Sequence, residues 1–379
     1  MAQFTVPCSV YRGGTSRGLF FHQKDLPQDP NLQRKVFLAG IDAYNVSQVN
    51  GLGSGTSHTS KVVVISPPSV EGADVDYTFY QIGIGEEIVD DKGTCGNLMA
   101  AVGAFAVDEG LVDLADHEQE MVEVSVFNTN IGKMIKLQVP VIDGKAKVSG
   151  DYLMPGVYPS GAKFIVDILE PGGGKTGKTL PLGAASSLFI GNKKVDVSFV
   201  DVVNPFVYLS SRSLGIKGIE PNHELSMNQQ LLKELEEIRS HSAVEAGMEK
   251  TVVEAKLAPA VPKLAIVSEP QDYVTSDGKK ISKEEVDIVA KMVSMGRFHR
   301  TFAGSGLYNL AAAVLLPGTL PNQLAQNMDN RKNQVVRIGH PEGIAEVRAS
   351  LTTDGHDVAF VGLERTARRI MKGDLYIPR

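Results

Sequence analysis

The chain has 379 residues, 42% of them hydrophobic, a formal net charge of −6 and two cysteines, Cys8 and Cys95. That length accommodates one large domain or two ordinary ones with real cores, while the lack of a basic block argues against nucleic acid as a partner. No run approaches the roughly 20 apolar residues of a membrane span, and two cysteines in unlike surroundings give no disulfide framework, which points to a reducing cytosol.

Taken in chain order, the opening MAQFTVPCSVYRGG lacks a basic region followed by a long apolar core. A secretory signal is therefore not expected, and a cytoplasmic location is. Alternation predicts a strand over Phe4–Tyr11. It runs into Arg12-Gly13-Gly14-Thr15-Ser16-Arg17-Gly18. The glycines permit close backbone approach, and Thr15 and Ser16 place hydroxyls beside two guanidinium groups. That chemistry suits a carboxylate, and an ordinary hairpin turn fits the same residues. A helix is expected over Asn31–Ala39.

Gly51–Lys61 is a small-residue loop, GLGSGTSHTSK, that becomes a predicted strand over Lys61–Ser66. Lys61 at the junction would bind a carboxylate, or act as a base if its pKa were lowered; a plainly exposed lysine is the alternative. A strand over Val75–Ile84 follows. Gly93-Thr94-Cys95-Gly96-Asn97 then opens a predicted apolar helix, Cys95–Glu109. A thiol at a helix N-terminus is favoured as thiolate, and this is the most specific local signal in the chain. Strands are expected over Val122–Phe127 and Met134–Val141.

The stretch EPGGGKTGKTLPLG matches the phosphate-loop pattern, with Gly172, Gly177, Lys178 and Thr179 in place. Such a loop needs a helix directly after the Lys-Thr pair, and Pro181 and Gly183 deny it one. The stretch reads instead as a connecting loop. Beyond it come strands over Val195–Val203, Lys263–Val267 and Asp357–Val361. Helices are expected over Asn222–Ile238, over Lys283–Met295 behind the Ser282 cap signal, and over Ser305–Leu316. Ala303-Gly304-Ser305-Gly306 is a second small-residue turn able to bind an anion, offering a hydroxyl and no thiol. His299 and His340 are further candidates for substrate binding, with a structural histidine equally expected. The histidines form no H-x-x-x-H or E-x-x-H pair, so no catalytic metal is expected.

The halves echo one another. GTCGNLMAAVGAFAV and AGSGLYNLAAAVLL are both a small-residue turn leading into an Ala-rich helix. The reading is α+β: two domains, residues 1–184 and 185–379, with the last strand free to return to the first domain. A cleft between the halves would face the starts of both helices.

PCSVYRGGTSRGLFF, HTSKVVVISPP, DVDYTFYQIGI, KGTCGN, NTNIGK, DGKAKVSGD, TGKTLPLG, VRIGHPEG and RTARRIMKGDLYIP together give the chain a resemblance to the PrpF family. The resemblance spans nearly the whole chain. It implies a diaminopimelate epimerase-like fold, with two pseudo-symmetric domains that each curl a mostly antiparallel sheet around a central helix. It also implies cofactor-independent isomerisation of a small unsaturated di- or tricarboxylate of the 2-methylaconitate, aconitate or methylitaconate type. Cys95 and Lys61 would be acid/base groups. Ser16, Arg17, Thr15, Gly96, Asn97, Gly304, Ser305, Gly306 and His340 would contact substrate. Epimerases of this fold use one cysteine from each half, and the second half here offers Ser305. Amino-acid racemisation is thus an alternative, as are keto-enol tautomerisation of an oxalomesaconate-like acid and simple polycarboxylate binding. Neither nucleic acid nor membrane is an expected partner, and a homodimer is one assembly left open.

Overall fold

Asp29 accepts a hydrogen bond from the Asn31 amide and Pro30 takes the first helical position, so the first helix starts one residue before its expected bound. In the computed structural model, which describes residues 3–114, 120–154, 156–326 and 333–379, this helix is α1, Pro30–Ile41. It follows strands β1, Gln3–Gly13, and β2, Ser16–His22. Next come β3, Lys61–Ser66, and β4, Val75–Ile82. Helix α2, Met99–Asp108, leads to β5, Met121–Asn128, β6, Lys133–Ile142, and β7, Phe164–Leu169. Strands β8, Ser186–Ile190, β9, Lys193–Val202, and β10, Asn204–Ser210, precede helices α3, Asn222–Met227, and α4, Gln229–Glu245. Strands β11, Lys263–Ser268, and β12, Ile288–Ser294, lead to α5, Gly304–Leu315. The chain closes with β13, Asn333–His340, β14, Gly343–Leu351, β15, Val358–Arg365, and β16, Ala367–Pro378. No described helix is long and apolar enough to cross a membrane.

The chain divides into two compact units: Met1–Asp167 with Glu364–Arg379, and Ile168–Leu363. The division falls before the expected 184/185 boundary, because the glycine-rich loop is tied into the second unit. The Gly173 amide donates to the Asp201 carbonyl at 2.8 Å, and the Asp201 amide donates to the Thr179 carbonyl at 2.8 Å. The amides of Lys175 and Thr176 both donate to the Asp201 carboxylate, at 2.8 and 2.6 Å. The phosphate-loop lookalike thus cradles an anion of its own chain.

Each unit pairs its strands in the same order. In the first, β1–β2 is antiparallel, β2–β3 parallel, β3–β4 antiparallel, β4–β5 parallel and β5–β6 antiparallel. In the second, β9–β10, β10–β11, β11–β12, β12–β13 and β13–β14 repeat that alternation. The returning strand β16 pairs along β1. Helix α2 is buried from Met99 to Val107 and α5 along its whole length, which explains why both are mostly apolar. On the other sheet face of the first unit, α1 packs Val36, Phe37 and Ile41 against Val10, Leu19 and Val62. In the second, α4 packs Leu231, Leu235 and Ile238 against Val207 and Leu264. This is the α+β, diaminopimelate epimerase-like architecture that the resemblance implied.

Two expected helices differ. Asn222–Ile238 breaks at Asn228, whose side chain caps α4 by accepting from the Leu231 amide. Ser282 does cap, but only a three-residue 3₁₀ turn follows, and Ile288–Ser294 is a strand. Its β-branched residues fit a position flanked by β11 on one edge and β13 on the other, which outweighs the cap signal.

Candidate active site

Strand alternation decides which side chains of the first unit can meet. In β3 and β4, Lys61 pairs with Gln81, Val63 with Phe79 and Ile65 with Tyr77, so all six share a face. Val62 and Val64 point the other way, into the core under α1. The face carrying Lys61 also receives Ser16 from β2 and the Thr94–Asn97 turn.

That turn sits on the hairpin because Gly13 and Gly14 have no side chain. A Cβ on Gly13 would lie 2.5 Å from the Asn97 carbonyl oxygen, and one on Gly14 2.5 Å from Asn97 Oδ1. Gly14 also has φ +53°, the left-handed region. Asn97 Nδ2 donates to Thr15 Oγ1 at 3.0 Å, and Asn97 Oδ1 accepts from Arg365 Nε at 3.1 Å. Asn128 Nδ2 donates to Thr94 Oγ1 at 2.6 Å, and Asn130 Nδ2 to the Asp91 carbonyl at 2.9 Å. The NTNIGK stretch is therefore the tether of the cysteine turn.

These tethers hold residues 94–98 outside the helix, 96–98 as a turn, and α2 begins only at Met99. Cys95 is thus not the first residue of the helix. The helix dipole falls off within the first turn, so the expected source of thiolate stabilisation is displaced. Cys95 is instead a charged neighbour of the Lys61 amine. Lys61 and Cys95 are both buried, at 8% exposure. Burial holds the Lys61 amine below its ordinary range, and the Cys95 thiolate works against that shift. Lys61 Nζ donates to Gln81 Oε1 at 2.6 Å and stands 5.0 Å from the centre of the Phe79 ring. Cys95 Sγ lies 3.8 Å from Ser16 Oγ. The fully buried Tyr77 hydroxyl faces Thr94 and the Cys95 backbone, and burial followed by the Cys95 charge raises its pKa. Cys8, by contrast, is a core thiol that burial pushes up to about 12.

The structure thus brings together Lys61, Cys95, Ser16, Thr15, Gly96 and Asn97. It does not bring Arg17 to them. Arg17 leaves β2 on the face opposite Ser16, and its Nη2 donates to the Leu52 carbonyl at 3.0 Å. The other guanidinium of the motif, Arg12, is likewise structural: its Nη1 donates to the Gly14 and Thr366 carbonyls. The guanidinium beside the turn is that of Arg365, buried at 6% exposure. Arg365, Gln81, Tyr77 and Asn128 escaped the sequence reading, although they lie within or beside the quoted stretches RTARRIMKGDLYIP, DVDYTFYQIGI and NTNIGK.

In the second unit, α5 begins at Gly304 and Ser305 lies buried in its first turn. Gly306 is there for packing: a Cβ would sit 2.6 Å from the Phe302 ring and 2.8 Å from Phe206. His340 ends β13 in the core, and its Nδ1 accepts from the Glu342 amide at 3.2 Å.

The chain matches the model of a family described as PrpF protein over residues 3–378. It is 40% identical to a 3-methylitaconate isomerase of Eubacterium barkeri, over 100% of this chain and 98% of that one. It is 33% identical to a 2-methyl-aconitate isomerase of Shewanella oneidensis, over 100% of this chain and 98% of the relative. A crystal structure titled methylitaconate-delta-isomerase superposes with a TM-score of 0.84 at 39% identity, covering 100% of this chain and 97% of the other.

Proposed function

The chain belongs to the PrpF family, and on that premise we propose that it is a cofactor-independent isomerase shifting an allylic proton in a small unsaturated di- or tricarboxylate of the methylitaconate or 2-methylaconitate type. The observation that carries this reading is the buried Lys61–Cys95 pair beside Ser16. Burial favours the neutral Lys61 amine, and the Cys95 charge opposes that shift. An amine so placed, with a thiol beside it, can take up one proton and return one.

In the proposed reaction the pair removes the proton from the allylic carbon next to a carboxylate. The C–H electrons move into a dienolate, and the proton returns to the far end of the delocalised system. The double bond has then migrated, and rotation in the dienolate would equally permit cis-trans change. Arg365, with Thr15 and Ser16, is the proposed carboxylate anchor of this unit, in place of Arg17. Proton transfer by a positioned group contributes about 10²–10⁴-fold, so charge stabilisation of the dienolate must supply most of the remaining acceleration.

Proton NMR in D₂O with methylitaconate, 2-methylaconitate and aconitate tests the reading. Deuterium should enter the allylic position of one of these acids with the wild-type protein. Cys95→Ser and Lys61→Ala should each slow that entry by about 10²-fold or more. Undiminished exchange in both variants would sink the assignment.

A further inference from the structure

We propose that Gln81 is the positioning residue of the acid–base pair, fixing the Lys61 amine in the orientation from which it exchanges protons. This rests on the reading of Lys61 as an acid/base group and adds to it.

The amide of Gln81 has one orientation that satisfies its surroundings. Nε2 donates to the Ser60 carbonyl at 2.7 Å and faces the Ser57 carbonyl at 3.3 Å. Two carbonyls cannot both face Oε1, so the oxygen must point away from them, and it meets Lys61 Nζ at 2.6 Å. The loop that supplies those carbonyls is itself anchored. The Gln48 side chain, 1% exposed, accepts from Ser60 Oγ at 2.9 Å and from the Gly55 amide at 2.8 Å. Gln81 Oε1 is the acceptor that Lys61 has among the described residues, and the Phe79 ring flanks the amine.

One N–H of Lys61 is therefore committed to Gln81 in both protonation states. Rotation about the terminal C–N bond of a free lysine would spread the reactive positions of nitrogen over all directions. Here it is restricted to the positions left by the Gln81 bond. A glutamine is also the uncharged choice. A glutamate at this place would pair with the ammonium and hold the proton on Lys61, whereas an amide supplies geometry without charge.

A role confined to bracing the Ser57–Ser60 loop would change stability and leave the pH profile alone, so the profile is the deciding measurement. Gln81→Met and Gln81→Glu are compared with wild type and Lys61→Ala by deuterium incorporation into the accepted acid across pH, with melting temperatures alongside. Gln81→Met should lower kcat by about 10–100-fold with KM changed by less than about threefold, since orientation and not binding is lost. Gln81→Glu should move the lysine limb of the profile upward by about one pH unit or more. Profiles of both variants superimposed on wild type, beside an inactive Lys61→Ala, overturn the inference alone. A limb that stays in place in Gln81→Glu overturns it too, whatever the rate. A fully active Lys61→Ala overturns the reading of Lys61, and this inference with it.

Discussion

The chain buries a second lysine whose environment supplies a calibration for the first. Lys291 lies in β12 at 5% exposure, among the strands of the second unit. Its Nζ donates to Asn222 Oδ1 at 3.2 Å. Burial lowers its pKa to about 8, against the attraction of Glu220. The gap from the ordinary 10.5, at about 1.36 kcal/mol per pH unit, makes the charged form about 3 kcal/mol costlier folded than unfolded. Replacing it with methionine removes that cost and forfeits one hydrogen bond, worth about 1 kcal/mol net. Lys291→Met should therefore be more stable than wild type by about 2 kcal/mol at pH 7.

The sign of the pH dependence follows from the direction of the shift. The folded state releases the Lys291 proton near pH 8 and the unfolded chain near 10.5. Between those values the unfolded state binds more protons, so wild-type stability rises with pH through that window. The advantage of the methionine variant should be full below pH 8 and gone by about 10.5. Urea unfolding of both proteins at pH 7, 8.5 and 10 measures this, with midpoints compared at equal slopes. A variant less stable at pH 7, or an advantage that does not shrink as pH rises, would refute the burial argument for Lys291. It would also weaken the case that burial alone makes the Lys61 amine a usable base.

Two further outcomes probe the turn itself. Arg365→Ala should raise KM for the accepted acid about 10–100-fold, the range of a lost charge-assisted hydrogen bond, while Arg17→Ala should leave KM within about threefold, because its guanidinium serves the Leu52 carbonyl; equal effects in steady-state kinetics would contradict the placement. Gly14→Ala forces a Cβ to 2.5 Å from Asn97 Oδ1 at φ +53° and should cut kcat/KM by about 10²-fold through displacement of Asn97, with wild-type kinetics in a folded variant as the contrary result.

What the sequence made legible was local. Lys61–Ser66 reads as a strand because β-branched residues follow one another there, and it forms at those bounds. The cysteine turn announces itself because Gly93 and Gly96 bracket a polar pair in front of an apolar run. What stayed illegible was set by partners far along the chain. Arg365 reaches Asn97 across 268 residues, and only the return of the chain beside β1 makes that contact. Gln81 becomes visible once the β3–β4 register places it opposite Lys61. The late start of α2 has the same origin: Asn128 and Thr15 hold the preceding residues as a turn that local propensity would have let coil. Arg12 and Arg17 misled for the converse reason, since charge at a glycine turn signals carboxylate chemistry only if the strand face points it there.

The repeated strand order also explains why one acid–base pair is the better reading than two. Lys61 opens the third strand of the first unit, and Lys263 opens the corresponding strand of the second. Lys61 is bonded to Gln81, its cross-strand partner; Lys263 Nζ lies 3.4 Å from Ser294 Oγ, at the matching place in β12. What differs is the neighbouring strand. Gly18 precedes Leu19, the partner of Val62, so a hydrogen atom faces Lys61. Phe206 pairs with Lys263 itself, stacked on Phe302 with centroids 6.3 Å apart, and Gly306 closes against both rings. Lys263 also donates to the Ala260 carbonyl at 2.8 Å. The repeated frame thus keeps its lysine in both copies, with a glycine beside it in the first unit and a stacked phenylalanine in the second. A racemase of this architecture needs a base on each side of one carbon. A chain with a lysine–thiol pair in its first unit and no cysteine in its second is suited instead to taking a proton from one carbon and returning it to another, which is what an allylic shift requires.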